Sequence, residues 1–590
     1  MSGAKVKGMF GALLKSVKRF PVTVALTTAL TICLILRRDV LQPMDVLRVM
    51  LILQLGIPVS LIVKLALERL EDLSLGRAFA YYGIGLLFVV LYALFGMPKI
   101  TPLEVYETHY GYPDALGMTR YLAVSLALYL AAIATPFFSR DGSVEQWVIS
   151  LIQRFAVSFV FALVLGVGFT AIFATIQLLF SLKYYVSFYD HLWFLIMGIF
   201  APIHFLAGVP VDLEELKDRV YPQALRILML YIVMPLIVIY TAIISVYFLT
   251  ILISVSMPQG VVANLVLWYG AVTTLVMFLI HPLKEESRWA QLFTKVLSIW
   301  ILPLLIMMFV AMGIRIAAHG VTVNRYFVLA LGTWVLVSML YFVFFKGRRN
   351  VFLIASLALF VILSVIGPWS AFSVSFASQR NRLTGLLEKY HMLEGGTVKK
   401  PDTVVSVDDQ VEISSILAYF DQYDGFAELH YLPAGFNLAD MEKVFGFRYT
   451  RSYGLPDSFR YYSREDRGFI DIAGYDYILV YADYIQDTEE TPSENDVRFM
   501  LSEDNERLAV FYRNEEIYSL DFGEMVRGLV LNSERTVLST EEMTFVDENE
   551  RARIKIVLNH AVLRKGEHTE MIEVSTVTFH LLVALKQPET

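Results

Sequence analysis

The sequence predicts a multi-span α-helical membrane bundle of about eleven helices, followed by an α+β C-terminal domain with a β-sandwich-like part. Three observations predict it. Hydrophobic residues fill 56% of the 590 positions and the mean hydropathy is +0.57, against the roughly 45–50% apolar content of soluble globular chains. Apolar runs long enough for a hydrocarbon core of about 30 Å recur up to residue 369 and then stop. Charge divides at the same place: residues 1–370 hold 27 Lys and Arg against 17 Asp and Glu, whereas residues 371–590 hold 22 against 39.

Residues 1–19 set Met9, Phe10, Leu13, Leu14 and Val17 near one helical face, with Lys7, Lys15, Lys18 and Arg19 mostly away from it. That is the pattern of a basic amphipathic segment at the inner surface of an anionic bilayer, and equally of the positive flank of a first span. Both readings put the N-terminus in the cytoplasm. The run at 21–36 lacks a cleavage site of the Ala-x-Ala kind and is read as a retained span. Further runs lie near 45–65, 77–97, 119–138, 154–181, 191–208, 222–254, 261–281, 290–316, 323–345 and 350–369, which makes residues 20–370 a polytopic transmembrane domain of eleven spans. The count turns on 222–254, which is long and contains Pro235.

Short cytoplasmic loops carry the excess of Lys and Arg. With the N-terminus inside, the inner segments hold Lys64, Arg69 and Arg77; Arg140 and Arg154; Lys217, Arg219 and Arg226; Lys284, Arg288 and Lys295; and Lys346, Arg348 and Arg349. The outer loop at 100–117 holds Glu104, Glu107 and Asp114 and no basic residue. Arg37 and Arg38 are the exception, since they face outward in this scheme. An odd number of spans then ends outside, so the stretch GPWSAFSVSFASQRNRL at 367–383 emerges on the extracytoplasmic face.

Beyond that junction, residues 371–450 read as a juxtamembrane helical region, with helices at 408–420 and 438–445, Asn437 as an N-cap and Gly446 as a stop. In 451–590 the period changes to two. Segments such as GYDYILVYADY, ERLAVFYRN and EMIEVSTVTFHLLVAL are rich in β-branched and aromatic residues and separated by Gly, Asn and Asp turns, which predicts an antiparallel β-rich domain.

The motifs of hydrolases, zinc proteases, phosphate-binding loops and dinucleotide folds are absent. Scattered histidines argue no metal site, and the single cysteine, Cys33, allows no disulfide framework. No cofactor is expected, and the acidic C-terminal part excludes a nucleic-acid partner. Ionisable and polar groups inside the spans are the candidates that remain, because each is costly in hydrocarbon unless it faces a bundle interior or water. His204, in FAPIHFLAG, follows Pro202, where a broken helix would free carbonyls; it reads as an interhelical hydrogen bonder or a substrate contact. Gln177 is a second buried polar candidate. Arg315 and Arg325 flank an outer loop, where they snorkel or together hold a phosphate or carboxylate. In the C-terminal domain Tyr475, Tyr477 and Tyr481 share a strand face that forms a core wall or stacks on sugar rings. Glu489, Glu490, Glu494 and Asp496 read as a solvated loop, the alternative being a loose Ca²⁺ site.

GPWSAFSVSFASQRNRLTGLLEKYHML, VEISSILAYFDQYDG and NLADMEKVFGFRY, with RIAAHGVTVNRYF, FAPIHFLAGVP and RFPVTVALTTAL, resemble in content and order the bacterial membrane proteins of domain-of-unknown-function family 4153 (DUF4153). The resemblance runs from the first span to about residue 450, with His319–Gly320 where a Tyr-Gly pair is expected. It implies this architecture and a bacterial plasma membrane, and it assigns no activity. The expectation is therefore a protein that transports or handles an envelope-related molecule, with the bilayer and an envelope component or membrane protein as partners. The alternative is an envelope sensor or scaffold. A membrane glycosyltransferase ranks lower, because such enzymes are expected to carry carboxylates on a long first outer loop, and here that loop is short.

Overall fold

The structure, a computed structural model, describes residues 11–586 other than 12, 40–42, 71–73, 103–110, 139–141, 181–185, 215, 217–218, 255–260, 346–348, 450–458, 465–469, 483–496, 503–504, 532–536 and 566–571. The chain divides into two compact units, Met1–Tyr449 and Thr450–Thr590.

The first unit begins with α1 (Leu13–Arg19), bent by 102° from the helix that follows, α2 (Pro21–Asp39). Pro21 at the start of α2 suits this corner, since a first-turn proline sacrifices no helical hydrogen bond. Then come α3 (Pro43–Leu67), α4 (Leu75–Phe95), a short hairpin of β1 (Ile100–Pro102) and β2 (Gly111–Pro113), α5 (Ala115–Ala134) and α6 (Val144–Leu179). Side-chain caps set several starts: Ser74, Asp114 and Ser143 accept the backbone N–H three residues on for α4, α5 and α6. With 36 residues, α6 is about 54 Å long and starts well before the apolar run at 154 that marks it in the sequence. Its extra turns, from Val144 to Ser150, are mostly buried.

Next are α7 (Val186–Leu195), a π-turn at Ile196–Phe200, α8 (Ala201–Ala207), α9 (Gln223–Ile227), a second π-turn at Leu228–Val233, and α10 (Met234–Ser254). Each π-turn ends two residues before a proline, Pro202 or Pro235. A helical proline clashes with the carbonyl four residues back. Widening the turn moves that carbonyl aside: Ala201 N–H donates to Ile196 and Met234 N–H to Met229, five residues back in each case. The helix at 191–208 is therefore widened at Pro202, and the break expected there is a π-turn.

The bundle closes with α11 (Val261–Leu279), α12 (Arg288–His319), α13 (Val323–Phe344) and α14 (Val351–Val365). Each apolar run read from the sequence coincides with a helix. Among the described residues eight helices are long and apolar enough to cross a membrane, nine if α1 and α2 form one bent span. Ala263–Leu279 and Val351–Val365 are shorter apolar helices. The 15 residues of α14 rise about 22 Å, less than a hydrocarbon core.

Past the bundle, α15 (Ala371–Lys389) occupies the junction itself, capped by Ser370. A hairpin of β3 (Leu393–Glu394) and β4 (Thr397–Val398), α16 (Val407–Gln422) and α17 (Met441–Phe445) follow. Asn437 closes a capping box on the turn before α17, and Gly446 ends it at φ +82°, the left-handed conformation glycine tolerates best. Phe372, Phe376, Leu383 and Leu387 of α15 bury against Ile413, Leu417 and Phe420 of α16 and against Val323, so this region packs onto the start of α13.

The second unit holds β5 (Phe459–Arg464), β6 (Tyr477–Ala482), β7 (Val497–Leu501), β8 (Arg507–Tyr512), β9 (Glu515–Asp521), α18 (Phe522–Leu531), β10 (Val537–Leu538), β11 (Thr544–Glu548), β12 (Ala552–Lys565) and β13 (Ile572–Leu585). One sheet has the order β10-β5-β12-β13-β6, with β11 beside the first half of β12 and β5 beside its second half. The other is β7-β8-β9. Both sheets and α18 share one core around Phe579, Leu581, Val510, Leu508 and Phe522.

Candidate functional site

Among the candidates from the sequence, His204 sits on α8, with its Nδ1 2.7 Å from Ser158 Oγ on α6. Phe161 packs edge-on at 5.1 Å between ring centroids and Phe200 stacks at 5.8 Å. Ser158 in turn lines a cavity of about 700 Å³ walled by α2, α3, α5, α6 and the π-turn with α8. The wall is apolar except for Thr23, Thr27, Thr31, Ser158, Tyr129 and Trp147. The threonine hydroxyls are held locally: Thr27 donates to the Val24 carbonyl at 3.0 Å, Thr31 to Thr27 at 2.8 Å, and Thr23 lies 2.8 Å from Ser60 Oγ. Trp147 differs from them. It is 1% exposed, and its indole N–H has no hydrogen-bond partner among the described residues. A buried donor left unmade costs about 1–3 kcal/mol.

Gly198, in the π-turn, lets α2 approach this wall closely: a Cβ there would fall inside the Thr31 side chain. Outside the cavity, Leu13, Leu14 and Val17 of α1 line a groove together with Leu195, Ile199, Phe200 and Ile203. Arg19 completes the attachment. It donates to both Glu68 carboxylate oxygens at 2.8 and 2.9 Å and to the carbonyls of Val209 and Pro210 at 2.6 and 3.0 Å. A second apolar cavity, of about 910 Å³, lies among α5, α6, α11, α13 and α14 and carries Asn264 and Asn324.

The other sequence candidates fall elsewhere. Gln177, near the end of α6, accepts from Tyr189 Oη of α7 at 2.6 Å, and no described contact joins it to His204. Arg315 and Arg325 bracket the hairpin between α12 and α13, where Arg325 donates to the carbonyls of His319 and Gly320. Tyr481 stacks on Phe579 at 5.2 Å, and Tyr477 packs against the same core. Tyr475 precedes β6, beneath the Arg553 guanidinium at 5.7 Å. Ile478 and Val480, between the tyrosines, are 49% and 61% exposed. The acidic loop with Glu489, Glu490, Glu494 and Asp496 lies outside the described residues, as do Glu104 and Glu107. Among the described residues no group of His, Cys, Asp and Glu could hold a metal ion.

One polar cluster has no counterpart in the sequence reading. Glu145, in the first turn of α6 and 5% exposed, accepts from Asn350 Nδ2 and lies 3.0 Å from His281 Nδ1 through the same oxygen, Oε1. Ser143 donates to its other oxygen at 3.1 Å. Asn350 precedes α14, yet its side chain makes no capping bond and serves Glu145 instead. The cluster joins the start of α6, the 281–284 turn and the start of α14.

A family model described as "Domain of unknown function (DUF4153)" matches residues 24–401. The chain belongs to the DUF4153 family. The DUF4153 match takes in the second cavity, the first apart from Phe20 and Thr23, the Glu145 cluster and the α12–α13 hairpin, and it ends before α16 and the second unit. With its spanning-length helices, this DUF4153 protein is a multi-pass membrane protein. No curated protein and no solved structure matches the chain.

Proposed function

We propose that this DUF4153 protein binds an amphiphilic, envelope-related molecule within the bacterial plasma membrane and transports or presents it. The observation that carries the reading is the cavity of about 700 Å³ beside the π-turn, apolar except for a few hydroxyls and the unpartnered Trp147 N–H. Its apolar wall suits an acyl or isoprenoid chain. His204 backs the wall through Ser158, which makes it a positioning residue in this scheme.

Eleven spans, an N-terminus in the cytoplasm and residues 371–590 outside complete the proposal. Contacts between loops support the alternation. The segments assigned inside touch one another: Arg19 meets Glu68 and Val209, and Glu145 meets His281 and Asn350. Those assigned outside do the same, since Arg120 lies 5.4 Å from the Phe372 ring and Leu116 packs with Val323 and Phe376. The sensor reading loses its stacking platform, because Tyr477 and Tyr481 pack into the core of the second unit.

The test uses the full-length protein in nanodiscs containing a phospholipid with a photoactivatable acyl chain. Cross-links are expected in α2, α6 and the π-turn, and Ala201→Trp, which fills the cavity, is expected to remove them. Equal labelling of these segments in both proteins would refute the reading. Reporters fused after Lys346, Arg380 and Thr590 are expected to read inside, outside and outside.

A further inference from the structure

The hairpin between α12 and α13 collects more positive charge than the described carboxylates neutralise. Arg325 donates to the carbonyls of His319 at 3.2 Å and Gly320 at 2.7 Å. From α15, Gln379, 4% exposed, donates to the carbonyls of His319 at 3.1 Å and Val321 at 2.9 Å. Ser378 Oγ accepts from Val321 N–H at 2.9 Å. These bonds fix the loop between the two elements. Helical spacing then adds two further cations: Arg315 lies one turn before His319 on α12, and Arg382 lies three residues after Gln379 on α15. Arg315 and Arg382 both act electrostatically on Arg325, and all three act on His319.

The partners do not balance. Arg382 pairs with Glu412 at 2.5 Å, and Arg325 is bonded to uncharged carbonyls. Arg315 has no hydrogen-bond or ion-pair partner among the described residues. One carboxylate therefore stands against three guanidiniums. Arg382 and Glu412 remain 22% and 30% exposed, so an anion can reach them. Beside the cluster, Tyr326 Oη donates to the Trp369 carbonyl at 2.6 Å, and Trp369 is itself 54% exposed. Exposed Trp with Tyr at the ends of spans marks the headgroup level of a bilayer.

We propose that Arg315, Arg325 and Arg382 form a binding site for a phosphate-bearing anion at the α12–α13 hairpin, supplied by a lipid headgroup or as free phosphate. Guanidinium forks match phosphate oxygens in pairs, which a point charge does not. The site lies apart from the cavity, none of whose lining residues comes from α12, α13 or α15, so it goes beyond the reading above and its variants are independent of the cavity variant.

Phosphatidylglycerol and inorganic phosphate are each titrated against the full-length protein in neutral maltoside micelles. The expected result is phosphatidylglycerol binding that Arg315→Gln weakens about tenfold, that Arg315→Lys restores in part, and that Ala201→Trp leaves unchanged. Arg315 makes no described bond, so its loss spares the fold. Glu412→Gln, which removes the competing carboxylate, is expected to tighten binding, an effect no merely structural role of that ion pair produces. Binding of inorganic phosphate with the same arginine dependence, and none of the lipid, would support the site with a soluble ligand. Affinities unchanged by both Arg315→Gln and Glu412→Gln, or no binding of either anion, would overturn it.

Discussion

Glu145→Ala is the substitution whose cost can be worked most directly from the structure. The carboxylate is 5% exposed and is met by Asn350, itself 2% exposed, and by His281 at 3.0 Å. Alanine strands the buried Asn350 amide, at about 1–3 kcal/mol, and removes the His281 contact to a charged group, at about 1.5–3 kcal/mol. Relief of the carboxylate's own desolvation offsets part of this, leaving a loss of about 3 kcal/mol. Asn350→Ala makes the cycle informative, because its side chain does no capping and its loss reports on the Glu145 contact. Unfolding of the full chain by sodium dodecyl sulfate in mixed micelles, run on wild type, both single variants and the double, gives the coupling. An interaction energy of about 1–3 kcal/mol is expected. Additivity within about 0.5 kcal/mol would show that Glu145 and Asn350 do not depend on one another, and the reasoning would fall.

Gly198→Ala is expected to destabilise by about 1–3 kcal/mol, since the added methyl meets Thr31, whereas Gly313→Ala, with open space around its Cβ, is expected to be tolerated; thermal melts of the two variants decide this. Asp409 offers a pH dependence outside the spans. Hydrogen bonds from Lys389 and Tyr390 hold its carboxyl below the usual carboxylate range. A lowered folded value means this stabilisation is present above the unfolded carboxyl's pKa of about 4 and is lost as pH falls below it. Hydrogen exchange in the first turn of α16 is expected to rise below about pH 4 in the wild type. In Asp409→Asn that acid-induced rise is expected to be absent, and an identical rise in both proteins would contradict the assignment.

The helices of the bundle were legible because hydrocarbon imposes its length on an apolar run, and the strands because β-branched and aromatic residues alternate between turns. Asn437 and Gly446 were legible as local signals at the ends of one short helix. The helix at Ala371–Lys389 does not stand out from the junction in the sequence, although Phe372, Phe376, Leu383 and Leu387 recur at helical spacing. Polar residues on its other faces dilute that pattern. Glu145 was invisible for a different reason: a glutamate opening a helix reads as an ordinary charge at the favourable end of the dipole, and its partner Asn350 lies 205 residues away. Arg315 and Arg325 stand out by the rarity of charge near spans, whereas Arg382, in a polar helix, carries no such signal. The π-turns follow from Pro202 and Pro235 only once the helix is known to continue through both prolines.

Arg19 ties the order of synthesis to the assembly of the bundle. Its partner Glu68 leaves the ribosome early, but the carbonyls of Val209 and Pro210 lie 190 and 191 residues downstream. At roughly 5–20 residues per second, about 10–40 s separate the emergence of Arg19 from that of its last acceptor. Over that interval α1 is held by half of its fork, and Leu195, Ile199 and Ile203, which line a groove together with its apolar side, are also made late. Helix α1 is thus among the later ones to be locked, since the last of its partners arrives only when the chain after α8 has been delivered.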